Sequence, residues 1–225
     1  MTVSQTTFAP LHRADGSATY SQGGYTVISA VNGPIEVQRR DEIPDEAAIE
    51  VNVRPAVGVG GPRERHVESL LTSLLRHVIL THLHPRSLIQ ITLQILSTPS
   101  DETTSHIPLL PPLISALTPA LLHSSLPLAT TPLSVLIALP KSGEATPYPS
   151  TKQIREAASV HAFAFGAEGE VLLAESEGRF TGDEWEAATG KAREVCLGSG
   201  AGEGKGLLGE LRGKVAGFAR VGLEA

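Results

Sequence analysis

The groupings that could carry chemistry in this chain are few. Gly61-Pro62-Arg63-Glu64-Arg65 sets two guanidiniums around one carboxylate at a helix start. Arginine forks donate in pairs to phosphate oxygens, so Arg63 and Arg65 are candidate contacts for an anion such as a nucleic-acid phosphate. His66, His77, His82 and His84 gather in one stretch. Zinc sites use tighter ligand pairs completed by cysteine or carboxylate, and His82 and His84 flank a helix end, where histidine caps carbonyls, so no metal is expected. Asp101, Glu156 and Glu168 are the carboxylates that a metal-dependent enzyme would need beside those histidines. The most telling feature is an absence: no aspartate occurs between Asp101 and Asp183. The lone cysteine, Cys196, reads as a small buried hydrophobe at a helix end rather than a nucleophile. Asp41-Glu42 and Asp45-Glu46 read as a solubilising turn, and Arg39, Arg40, Arg76 and Arg86 as solvated surface or intersubunit ion pairs. The glycine-rich run from Gly198 to Gly206 imitates a phosphate-binding loop. Ser199 stands where its first glycine belongs and Gly206 where Ser or Thr is required, so that motif is rejected.

Composition limits the function classes. The net charge of −6 argues against a self-sufficient nucleic-acid binder. Aromatic residues make up only 4%, too few for a stacking platform. With 225 residues the chain can bury a substantial core. A single cysteine excludes an internal disulfide framework and fits a reducing compartment. The first residues show no basic segment followed by an apolar core, so no secretory signal is expected. Residues 107–139 are the only membrane candidate, and Pro108, Pro111, Pro112, Pro119, Pro127 and Pro132 break that stretch, which predicts a soluble chain.

The elements that must position these groups follow from periodicity. Turn residues and a period of two predict short strands over residues 17–57, with Gly24 to Val31 and Ile35 to Arg39 separated by an Asn32-Gly33-Pro34 turn and another strand at Ala48 to Val53. From Arg63 to Leu83 the period becomes helical, with Val67, Leu70, Leu71, Leu74, Leu75, Val78 and Ile79 on one stripe. A strand follows at Leu88 to Leu96, then a leucine-rich helix broken or kinked at Pro111-Pro112 and Pro119. Leu133 to Leu139 reads as a strand buried on both faces, residues 140–151 as a loop, His161 to Phe165 and Val171 to Ala174 as a hairpin, and Asp183 to Val195 as a helix. The order predicts an α+β fold, a mixed sheet with helices on one side. Residues 1–197 form the expected domain, and residues 198–225 a glycine-rich linker with a helix candidate from Leu207 to Val221.

Four landmarks in order carry a resemblance. They are Asp15-Gly16-Ser17-Ala18 with Gly23 to Val27 and Val31 to Glu36, then Gly61 to Arg65 leading into the helix, then Pro85-Arg86 with its strand, then Glu175 to Phe180 before Asp183-Glu184-Trp185. Over residues 9–197 the chain resembles the ribonuclease PH family, which implies the ribonuclease PH fold, a ribosomal protein S5 domain 2-like arrangement. In that family inorganic phosphate attacks the 3′ end of RNA. Carried over by position, Arg63 matches one phosphate-binding arginine, and the second falls forty residues on, at Thr103. No arginine lies between Ser87 and Ile154, and a threonine hydroxyl cannot replace a bidentate fork. The two family aspartates, six positions apart, fall at Ile154 and Val160. Apolar side chains there desolvate a developing charge instead of stabilising it, and Asp101 and Glu102 repel an anion where phosphate would dock.

The resemblance therefore implies no catalytic residues, no cofactor, and a noncatalytic subunit of the hexameric ring of the RNA exosome, through whose assembled channel RNA passes to a separate nuclease. It implies ring partners of the same family, with ribosomal RNA-processing protein 43 as neighbour, contact with S1/KH cap subunits, and residence in nucleus, nucleolus and cytoplasm. The alternatives are a metal-dependent nuclease or a weak RNA-binding protein acting as a homodimer.

Overall fold

The computed structural model describes residues 4–40, 42–100, 105–140, 144–198 and 206–224. The chain divides into two compact units, each with its own sheet.

Val3–Thr98 and Pro112–Thr131 form one unit. Its five-stranded sheet comprises β1 (Gln5–Phe8), β2 (Gly16–Gln22), β3 (Tyr25–Glu36), β4 (Ala48–Arg54) and β5 (Ser87–Ser97), in the order β1-β2-β3-β5-β4. Neighbours are antiparallel except β4 and β5, which run parallel, so the sheet is mixed. Alternation decides the faces: Val27, Val31, Ile89, Ile91 and Leu93 are buried, whereas Ala30, Asn32, Gln90 and Thr92 lie between them on the other face. The parallel step needs a crossover, and α1 (Pro62–Val78) supplies it, burying Val67, Leu71, Leu74, Leu75 and Val78. A 3₁₀ turn at Thr81–Leu83 completes the link to β5.

Two expectations need correction here. The segment Asn32-Gly33-Pro34 does not end a strand: β3 runs through it, pairing Asn32 with Gln90 and Ile35 with Leu88 across a register shift. A bulge absorbs the one extra residue, and Gly33 adopts φ 141°, where a Cβ would meet the Leu88 carbonyl at 2.8 Å. The leucine-rich helix α2 (Leu110–His123) is likewise unbroken at Pro111-Pro112. Both prolines fall in its first turn, where the missing N–H groups have no intrahelical acceptor to lose, and a 3₁₀ turn at Ile107–Leu109 leads in. Pro119 lies inside the helix without interrupting it. The end of α2 is docked on β2, because Gly16 leaves room for Ala120 and Ser124, and His123 Nδ1 accepts the Ser17 N–H at 3.1 Å.

Pro99–Pro111 and Pro132–Ala225 form the other unit. Here β6 (Leu133–Leu139), β7 (Thr146–Pro147), β8 (Ser159–Phe165) and β9 (Val171–Gly178) make an antiparallel sheet in the order β7-β6-β8-β9. As the continuous apolar run predicts, every residue of β6 is buried. The short helix α3 (Thr151–Glu156) precedes β8, and α4 (Gly182–Leu197) follows β9, capped by Thr181 with Glu184. Val135, Ile137, Phe163 and Phe165 pack with Ala188, Ala192 and Cys196 of α4. Leu207, Leu208 and Leu211 of α5 (Leu207–Glu224) join this core from the tail. Among the described residues, no helix is long and apolar enough to cross a membrane.

Candidate functional site

Arg63 and Arg65 fall in the first turns of α1, whose start is firmly built. Gly61 is the N-cap and Pro62 the first helical residue, where proline's fixed φ suits the helix. The Glu64 carboxylate turns back to accept the Gly61 N–H at 2.7 Å, and Arg65 N donates to the Gly61 carbonyl at 3.2 Å. One turn on, Glu68 accepts the Val53 N–H at 2.8 Å and ties α1 to β4. The carboxylates of this turn thus serve the backbone, while Arg65 is exposed and Arg63 half-buried. A helix start with two guanidiniums is favourable to an anion such as a nucleic-acid phosphate.

Ile154 and Val160 belong to the other unit. Ile154 lies half-buried on α3, and Val160 half-buried as the second residue of β8. The exposed Glu156 ends α3, and Glu168 is exposed in the hairpin turn. Thr103, with Asp101 and Glu102, lies outside the described residues.

A carboxylate that sequence reasoning missed stands beside Val160. The β8/β9 register pairs Val160 with Glu177 and Ala162 with Glu175, so both glutamates share the face of the two apolar or small residues. Glu177 accepts a hydrogen bond from Ser105 Oγ, and Glu175 lies 4.0 Å from His106 Nε2. The turn alone does not give this pairing: folding the chain about Gly166-Ala167-Glu168-Gly169 puts residue 160 opposite residue 175, and the register shift at Ala164/Phe165 is what brings it opposite residue 177.

On the reverse face of β8, His161 is fully buried. Its Nε2 meets Ser159 Oγ at 2.9 Å and its Nδ1 meets Ser176 Oγ at 2.8 Å. Phe163 stacks on the imidazole at 5.9 Å and Phe180 meets it edge-on at 4.8 Å. Burial lowers its pKa below the ordinary 6.5, holding it neutral. A serine paired to histidine resembles an activated nucleophile, but substrate has no access to a side chain this deeply enclosed.

The remaining candidates have structural roles. His77 Nδ1 lies 2.8 Å from the Ser73 carbonyl of its own helix, and among the described residues no three His, Cys, Asp or Glu side chains converge to hold a metal. Glu42 pairs with Arg86 at 3.4 Å and Glu46 accepts from Thr81 Oγ1 at 3.1 Å, so these two carboxylates anchor neighbouring chain. Cys196 is buried in the α4 core, which pushes its thiol up to about 12 and keeps it from acting as a thiolate. The phosphate-loop imitation, residues 198–206, falls mostly outside the described residues.

Comparison with known proteins places these elements. Residues 5–127 match the ribonuclease PH profile, the 3′ exoribonuclease family, domain 1. The chain is 36% identical to the exosome complex component RRP46 of Saccharomyces cerevisiae over 181 residues, 77% of this chain and 81% of the relative. It is 33% identical over 135 residues to the exosome complex exonuclease RRP46 homolog of Oryza sativa subsp. japonica, 60% of this chain and 54% of that relative. The crystal structure of rice Rrp46 superposes with a TM-score of 0.76 at 25% identity, covering 84% of this chain and 86% of that one. The Archaeoglobus fulgidus exosome with RNA bound to the active site shares the fold at a TM-score of 0.64 and 14% identity, over 85% of this chain and 84% of that one. The matched profile spans more than half of the chain and the yeast relative most of its length, so the protein belongs to the ribonuclease PH family of 3′ exoribonucleases.

Proposed function

We propose that this chain is a noncatalytic ring subunit of the RNA exosome, working in 3′-to-5′ RNA processing and degradation by shaping the channel through which RNA is threaded. Similarity to the yeast exosome component over most of both chains supports the ring assignment. The observation that carries the loss of catalysis is the pair Ile154 and Val160, which puts hydrocarbon at both positions where the family's aspartates belong. Without those carboxylates, and with Thr103 in place of the second arginine, phosphorolysis has neither its proton-handling group nor its phosphate clamp.

In this reading Arg63 and Arg65 contribute phosphate contacts from the start of α1 as RNA passes. Ring neighbours of the same family, ribosomal RNA-processing protein 43 among them, and S1/KH cap subunits complete the assembly, which works in nucleus, nucleolus and cytoplasm. A second reading, a metal-dependent nuclease, draws on one observation: Glu177 returns a carboxylate to the strand position facing Val160.

Phosphorolysis of a short 3′-tailed RNA separates the two. The chain is assayed alone and reconstituted with ring partners, with phosphate, Mg²⁺ and Mn²⁺ varied. The scaffold reading expects co-purification in the ring and no nucleoside diphosphate released by this subunit in either state. Phosphate-dependent release by the chain alone overturns it, and cleavage that needs Mn²⁺ but not phosphate, abolished by Glu177→Gln, establishes the nuclease.

A further inference from the structure

We propose that β9 is a docking edge for a basic β-strand of a protein partner. The strand closes one side of its sheet: its inner side pairs with β8 over Ser159 to Phe165, and among the described residues no strand lies beyond it. At eight residues it is long for an edge, it contains no proline, and its one register irregularity is confined to the hairpin end, at Ala164/Phe165. Natural edges are normally shortened, bulged, charged or proline-blocked against further pairing; β9 is bulged only at its hairpin end, and from Leu173 to Gly178 it carries neither bulge nor proline, with Glu175 and Glu177 as its charges.

The backbone direction follows from the ladder. Arg179 N donates to the Ala158 carbonyl, which fixes 158/179 as a hydrogen-bonded pair. Antiparallel pairs alternate, so Glu177 and Glu175 turn their amides toward β8 while Ser176 and Ala174 turn theirs outward. Ala174 is exposed. An added strand would pair with the outward groups of residues 174 and 176, the mode known as β-augmentation.

Charge selects the occupant. From Ala167 to Phe180 the chain carries Glu168, Glu170, Glu175 and Glu177 against Arg179 alone. A second copy pairing β9 with β9 would line up like charges across one ladder, which destabilises cross-strand pairs, whereas lysine or arginine on the incoming strand stabilises them. The hydrogen bond from Ser105 and the approach of His106 hold Glu177 and Glu175 in fixed positions on this face, so the negative rim is already ordered. The partner is therefore a different protein presenting an extended basic segment. The inference deepens the ring reading, since it assigns one subunit contact to a named strand.

The test titrates the isolated full chain with a synthetic peptide of the strand's length alternating lysine and valine, and with its glutamate counterpart, while amide exchange is followed at Ala174 and Ser176. Saturable protection by the basic peptide only, at concentrations up to about 1 mM, is expected. Ala174→Pro removes an outward donor without touching the β8 ladder and should abolish binding with the urea midpoint retained. Glu175→Lys with Glu177→Lys should weaken it about tenfold, and decides the matter if the proline variant does not fold. No protection by the basic peptide, equal protection by both peptides, binding as tight in either variant as in the wild type, or a homodimer dissolved by Ala174→Pro each overturns the proposal. Exchange in the reconstituted ring separates the two readings. Incorporation with Ala174 and Ser176 unprotected sinks the edge and leaves the ring, while peptide capture without incorporation sinks the ring and leaves the edge.

Discussion

His161→Ala should be among the most destabilising single substitutions in the second sheet. The imidazole is fully enclosed, so its removal opens a hole between Phe163 and Phe180, a loss of about 2–3 kcal/mol by analogy with large-to-small core changes. It also strips Ser159, itself 2% exposed, of its hydrogen-bond partner, adding about 1–2 kcal/mol for an unpaired buried hydroxyl. The sum is about 4 kcal/mol, a large fraction of a typical domain's stability. His161→Phe keeps an aromatic ring, somewhat larger, in place and loses chiefly the polar terms, about 1–3 kcal/mol, and adding Ser159→Ala and Ser176→Ala should recover most of that and make room for the larger ring. The sign of the pH effect follows from the lowered pKa. Above pH 6.5 the imidazole is neutral folded or unfolded and its contribution is complete; as the pH falls from there through the lower native pKa, the unfolded state takes up the proton first and stability erodes. Urea denaturation at pH 7.5 and at stepwise lower pH, on wild type and the His161→Phe chain, reads both effects from the midpoints. A cost below about 1.5 kcal/mol for His161→Ala, or an acid slope unchanged by His161→Phe, would refute the buried-network account.

Gly178 at φ 108° leaves no room for a methyl group, with the Ala158 carbonyl 2.4 Å from a built Cβ, so Gly178→Ala should cost about 3 kcal/mol or more and lower the melting temperature. Cys196 should react with a soluble disulfide reagent at pH 8 only as fast as the chain unfolds, and rapid labelling of the native protein would contradict its burial. Glu68→Gln, at the link to Val53, should lose about 1 kcal/mol in urea melts while keeping the fold by circular dichroism. In the reconstituted ring, Arg65→Glu should weaken RNA retention and make its salt dependence shallower, and an unchanged salt slope would remove Arg65 from the RNA path.

Periodicity made most of the fold legible. The stripe of α1, the fully apolar β6 and the hairpin at Gly166 to Gly169 each have one physical solution, and the structure adopts it. The misses arose where tertiary pairing overrode a local signal. Asn32-Gly33-Pro34 has turn chemistry, but β5 continues alongside and converts it to a bulge within β3. The prolines of α2 look like breakers until its first turn is located at Leu110. The six residues of α3 are too few for periodicity to register, and β1 is only four residues long. At the candidate site the arginines were read from one local motif. Glu177 needed the strand register, which pairs residues seventeen apart in the chain and has no local signature of its own.

The order in which the chain contributes to its two units has a consequence for how the protein must be made. The first unit takes residues up to Thr98, hands the chain to the second for Pro99–Pro111, and takes it back for Pro112–Thr131. A ribosome releasing the chain from its amino end has finished all five strands of the first sheet by Ser97, yet the helix that docks on Gly16 and Ser17 has not emerged. α1 is already in place, but the part of the nascent sheet against which α2 docks, at Gly16 and Ser17, stays open until His123 clears the exit tunnel, an interval in which a chaperone or a neighbouring nascent chain has access to it. Truncation at Thr98 would freeze the protein in this state, so no cut at that boundary yields a self-sufficient fragment.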